Sequence, residues 1–111
     1  MATLTRTDID RDGLELEALL ASAASGGDEF QNDGKRTFAV VKNVNAADRT
    51  ITFVTQKTVD GEAIDDKTVV VSQDEIMLVG PFPADVYNDE NDRVQMTYSS
   101  ETDVSVAAVR L

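Results

Sequence analysis

Apolar and polar positions change their rhythm along the chain. From Thr37 onward, short alternating or β-branched runs are separated by turn-rich stretches. Thr37 to Lys42 is a β-branched and aromatic run. Thr50-Ile51-Thr52-Phe53-Val54-Thr55 alternates, with Ile51 and Phe53 on a different face from Val54. The turn-rich stretch Asn43 to Arg49 lies between them, so the two runs predict a hairpin. Further strands are predicted at Thr68 to Val71, Ile76 to Val79, Val94 to Tyr98 and Val104 to Leu111. The long connection from Val59 to Lys67 contains the turn signal Asp60-Gly61. Gly80-Pro81-Phe82-Pro83 stops the run that ends at Val79. A proline on each side of Phe82 removes two backbone donors, which predicts a sheet edge or a crossing between sheets. The apolar alternation of the closing run predicts a place in a sheet or at a subunit contact.

This spacing predicts an all-β fold: a small β-sandwich or open β-barrel of about six to eight short antiparallel strands, with an N-terminal arm or short helix. Parallel α/β architecture needs crossover helices, and the body has no segment of the required length. Val40, Ile51, Phe53, Val70, Val79, Val94, Met96, Val104 and Val106 are the predicted core.

The first quarter of the chain follows no single period. Weak alternation surrounds Leu4 and Ile9. Leu14 to Ala24 is the one segment of notable helix propensity. Leu16, Leu19, Leu20 and Ala23 share a helical face, while Leu14, Leu16 and Ala18 alternate as in a strand. A helix, a strand and an arm that orders against a partner all fit. Residues 25–36 carry turn and loop chemistry throughout. The organisation expected is therefore an N-terminal arm or peripheral segment over 1–25 and a β body over 26–111. Phe30, an apolar ring in that polar loop, reads as a plug for the core edge or as a reach toward a neighbouring subunit. Phe82, rigidly held between prolines, reads the same two ways. Leu14, Leu16, Leu19, Leu20, Phe30 and Phe82 are the candidate protein contacts.

Composition narrows the chemistry. A chain of 111 residues supports one domain with one core. It has neither cysteine nor histidine, which removes disulfides, thiolate metal sites and the commonest general base. No nucleophile–base arrangement that needs either residue can form, so no catalytic residue is assigned and a non-enzymatic role is expected. Twenty-one acidic residues against ten basic ones give a net charge of -11. Such a field repels nucleic-acid phosphates and anionic lipid, so neither is an expected partner. No apolar run approaches a membrane span, and the N-terminus lacks the pattern of a secretory signal, so a soluble protein is expected inside the cell that makes it.

Three local patterns invite a functional reading. Asp33-Gly34-Lys35-Arg36-Thr37 resembles part of a phosphate loop but lacks its glycine spacing and leads into a strand, not a helix. A turn feeding a strand explains it. The acidic stretch 85–92 is dense enough in oxygen ligands to suggest Ca²⁺, with Asp85, Asp89 and Asp92 as the ligands to consider. It does not match an EF-hand, and a solvated turn explains it as well. No cofactor and no metal ligand is assigned. The few aromatic residues, with no tryptophan, are too sparse for a sugar or single-strand platform.

Four stretches carry a resemblance. They are Asn32-Asp33-Gly34-Lys35-Arg36-Thr37-Phe38 leading into Val41-Lys42-Asn43; Val54-Thr55-Gln56-Lys57-Thr58-Val59-Asp60-Gly61; Gly80-Pro81-Phe82-Pro83 followed by Tyr87-Asn88; and the closing run from Val104 to Leu111. Together they span residues 26–111. This part of the chain resembles small virion structural proteins of tailed bacteriophages, most closely a capsid decoration, or cement, protein. The resemblance implies a protein that binds the major capsid protein or other virion proteins and stabilises the shell by bridging its subunits. It also implies a homo-oligomer, with a trimer suiting a three-fold position. The expected location is the virion, after synthesis in the bacterial host cytoplasm. Neck and tail components of similar size share this kind of scaffold. A small ligand- or calcium-binding β module is the reading from another class.

Overall fold

The computed structural model describes residues 1–111. In chain order its elements are β1 (Ala2–Leu4), β2 (Arg6–Asp8), α1 (Leu16–Leu19), β3 (Ala21–Ser22), β4 (Asp28–Gln31), β5 (Thr37–Asn43) and β6 (Arg49–Phe53). They continue with β7 (Thr58–Val59), β8 (Glu62–Ala63), β9 (Lys67–Val71), β10 (Glu75–Val79), α2 (Ala84–Tyr87), β11 (Arg93–Tyr98) and β12 (Val104–Arg110). One five-stranded sheet has the order β1-β4-β11-β6-β9. The other runs β10-β5-β12-β2, with β3 also paired to β12. Neither sheet closes into a barrel. β7 and β8 form a separate two-stranded hairpin. No helix is long and apolar enough to cross a membrane.

Both large sheets are mixed, which corrects the expectation of purely antiparallel strands. β1 lies parallel to β4, and β2 lies parallel to β12; the other pairs are antiparallel. The cause is the N-terminal segment. It runs along an edge of the first sheet as β1, passes Thr5, and continues along an edge of the second as β2. Residues 1–25 thus supply edge strands to both sheets. The ion pair from Arg110 to Asp8, at 3.0 and 2.8 Å, fastens β2 to β12.

The predicted hairpin between residues 37–42 and 50–55 does not form. β5 pairs with β10 and β12, while β6 pairs with β9 and β11 in the other sheet. The stretch between them is a crossing held by Asn43, whose side chain is fully buried. Its amide donates to the carbonyls of Ala47 (3.0 Å) and Val71 (2.9 Å), and its Oδ1 accepts the N–H of Asn45 (2.9 Å). A buried amide with its partners in place fixes this corner in one geometry.

One core lies between the sheets. Phe30, Ile51, Phe53, Val71, Val94 and Met96 enter from the first sheet; Ala39, Val41, Val104, Val106 and Ala108 enter from the second. Val79 packs against this core partly buried. Val70, predicted as core, is 52% exposed, because its neighbour Val71 takes the inward position in β9. Val40 is buried on the other face of its sheet. There, Val40, Ala107 and Val109 form a satellite cluster. β5 and β12 are covered on both faces, so they read as nearly continuous apolar runs.

Candidate protein-contact surface

Leu14, Leu16, Leu19 and Leu20 do not extend from the body. They lie half-buried on the outer face of the second sheet, against Val40, Ala107, Val109 and Phe38. Only Leu16–Leu19 forms a helical turn; Leu20 is already extended (φ -64, ψ 127) and the chain pairs with β12 as β3. The helix and strand readings of this segment therefore each apply to part of it. Lys42 pins the turn to β5 through a 2.8 Å bond to Glu17.

Phe30 and Phe82 are brought together, but inside the protein. Phe30 is 0% and Phe82 2% exposed. Phe82 stacks against Phe30, Phe53 and Tyr87 at centroid distances of 5.8, 4.8 and 5.3 Å. Its carbonyl accepts the buried amide of Asn32 at 2.8 Å. The two prolines thus hold a ring that seals the end of the core, and neither phenylalanine is exposed on the surface of the chain. Correctly placed tilted aromatic contacts add to the burial they accompany.

An all-apolar feature of the surface has no counterpart among the residues that the sequence singles out as contacts beyond Leu14 and Leu16. Beside the half-buried leucines, an open groove of about 220 Å³ runs over the second sheet, and every residue lining it is apolar. Phe38, Val40 and Val109 come from β5 and β12; Ile9, Leu14 and Leu16 come from the N-terminal segment. β10 contributes Ile76 and Leu78, which are 47% and 60% exposed, and Leu111 is 58% exposed beside them. The register explains this. Ile76 and Leu78 oppose Lys42 and Val40 of β5 and share their outward face, while Met77 opposes the inward Val41. The four consecutive apolar residues Ile76 to Val79 held the signal: a strand covered on one side alone should alternate, and this one does not.

The polar candidates are occupied by local structure. Asp33 accepts the N–H groups of Lys35 (3.0 Å) and Arg36 (2.9 Å) and the hydroxyl of Thr37 (3.1 Å). The bond from Arg36, opposed by desolvation and aided by Lys35 and Thr37, lowers its pKa to about 2. This is the turn that feeds β5. Asp85, Asp89 and Asp92 do not converge, and nowhere does the chain gather three acidic side chains in a metal-holding group. Asp89 accepts N–H groups from Asn91 (2.8 Å) and Arg93 (3.1 Å) and the Gln95 amide (2.9 Å). Desolvation raises its pKa, yet these hydrogen bonds outweigh it and the carboxyl sits below its usual range. Asp85 instead faces Lys57 at 3.6 Å. The arrangement can bury a partner's apolar side chains. No family model, curated protein or solved structure matches the chain.

Proposed function

We propose that the chain is a non-enzymatic virion structural protein that attaches to the assembled head of a tailed bacteriophage and stabilises it by bridging shell subunits. The phage assignment rests on the resemblance carried by residues 26–111. The observation that carries attachment as the mode of action is the all-apolar groove beside exposed Ile76, Leu78 and Leu111 on a domain of net charge -11. A surface so acidic keeps the protein dispersed in solution and away from packaged DNA. An exposed apolar strip within it is a place for a protein partner.

In this reading the body is a β-sandwich that serves as a rigid platform. Each apolar contact made at a subunit junction contributes about 25 cal/mol per Å² before the cost of association. Repetition over one lattice then makes weak single contacts collectively strong. The partner is the major capsid protein or another virion protein, and a homotrimer would match a three-fold site.

The test is quantitative protein analysis of purified particles, with and without the gene. A copy number comparable to that of the shell subunits, together with earlier heat-induced DNA release from particles that lack the protein, is the expected result. A copy number fitting a single ring would place the chain in the neck or tail. Absence from particles would end the proposal.

A further inference from the structure

β10 is an edge strand without the usual protection. Its inner side pairs with β5, and no strand pairs with its outer side. Natural edges are blunted by shortness, lysine, proline or a bulge, because an open row of backbone groups recruits other strands. The other edges follow this rule: β1 and β2 have three residues each, and β9 begins with Lys67. β10 has five residues, no lysine and no proline; its one charge, Glu75, stands at the first position and the other four residues are apolar.

The free edge borders the groove, so a strand added to β10 would lay alternate side chains next to Ile76 and Leu78 and over the space in front of Phe38. The surroundings also specify charge. Asp10, Asp12, Glu15, Asp74 and Glu75 are exposed on the segments that flank the lining residues, against the exposed bases Arg11, Lys35 and Arg36, of which Arg36 is paired with Asp33 at 3.8 Å. Asp8 and Glu17, on the same segments, are paired with Arg110 and Lys42. A second copy of this chain would bring the same acidic rim against it, and like charges across a contact disfavour association.

We infer that β10 accepts, as an added strand, an extended apolar segment with basic flanks from another protein. Backbone bonds to the edge would provide the attachment, the groove would select apolar side chains, and the acidic rim would select the flanks. The inference rests on the proposed attachment function and names the chemistry of its partner.

The test uses the full chain, isotope-labelled, with two synthetic peptides: Lys-Lys-Thr-Val-Thr-Val-Thr-Val-Lys-Lys and its counterpart with glutamate in place of lysine. The lysine peptide should shift the amide signals of residues 75–79 and bind more weakly as salt rises. The glutamate peptide should bind at least about tenfold more weakly. Leu78→Lys, at an exposed position, should keep the melting temperature and weaken binding by at least about tenfold. Val70→Lys, exposed on β9, should leave binding unchanged. Equal binding of the two peptides, no response in β10, or dimerisation that Leu78→Lys abolishes would each overturn the inference. Particle incorporation separates the two proposals. Wild-type protein missing from particles removes the attachment function; wild type and Leu78→Lys incorporated equally, with no peptide binding, removes the β10 edge alone.

Discussion

Tyr98 donates its hydroxyl to the carboxylate of Asp28 at 2.5 Å, across the pairing of β11 with β4. Met96 is the residue directly opposite Asp28, so Tyr98 reaches it along the diagonal of one face. Asp28 is 1% exposed, and the same oxygen accepts the N–H of Ala24 at 3.1 Å. One carboxylate thereby joins the end of β11 to the turn that enters β4.

Removing that hydroxyl leaves a buried acceptor short of a donor. Tyr98→Phe should destabilise the protein by about 1–3 kcal/mol, read from urea denaturation. Burial, reinforced by the bond to Asp28 and its charge, pushes the ionisation of Tyr98 far above the ordinary tyrosine range. Alkaline titration of the wild type, followed by absorbance, should show this ring ionising only as the protein unfolds. Early ionisation, or a neutral Tyr98→Phe, would contradict the buried pair.

Gly27 is the tightest point of the same turn. Its φ is +91°, and a Cβ placed there would lie 2.6 Å from the carbonyl oxygen of Met96. That oxygen belongs to backbone in β11 and has no flexible end to move aside. Gly27→Ala should cost about 2–4 kcal/mol, combining the strained conformation with the clash. Thermal unfolding measures it, and a variant as stable as the parent would show that the turn can rearrange.

Phe82 and Leu19 compare the two apolar clusters. Phe82→Ala opens the aromatic end of the core and should cost about 3–5 kcal/mol. Leu19 is half-buried on the outer face, so Leu19→Ala should cost about 1 kcal/mol. Chemical denaturation of both variants checks the order. A reversed order would mean that the outer cluster, more than the inner one, holds the sheets in place.

Acid stability should depend on Asp33. Its folded carboxyl ionises at about 2, below the ordinary aspartate value of 3.8. Its contribution is therefore complete above 3.8 and is lost as pH falls through about 2. Asp33→Asn keeps an oxygen acceptor in the turn but carries no titrating charge. Stability measured against pH should fall less steeply for that variant over this interval than for the parent, and parallel curves would exclude the effect.

The strands of the body were legible because most bury one face or both. Thr37 to Lys42, Ile76 to Val79, Val94 to Tyr98 and Val104 to Leu111 lie within or closely match β5, β10, β11 and β12. Pairing was less legible, since it depends on corners such as Asn43, whose partners Ala47 and Val71 no local pattern reveals. β4 was hidden among turn residues because its inward positions include Asp28, a polar residue that Tyr98 satisfies from far along the chain. Of the contact candidates, Leu14 and Leu16 line the groove, whereas Leu19 and Leu20 do not. Phe30 and Phe82 show that an aromatic residue in a polar loop can close a core without reaching outward. Ile76 and Leu78 read only as strand, because a continuous apolar run is equally that of a strand covered on both faces.

The threading of the N-terminal segment between both sheets has a consequence for biogenesis. Arg6, Thr7 and Asp8 have their register partners at Ala108, Val109 and Arg110. During translation β2 must therefore wait for its partner until β12 has been made, although β1 finds β4 much earlier. A ribosome-bound chain stalled before β12 would lack a central strand of the second sheet, so protease resistance should arise abruptly once β12 has emerged and not grow residue by residue.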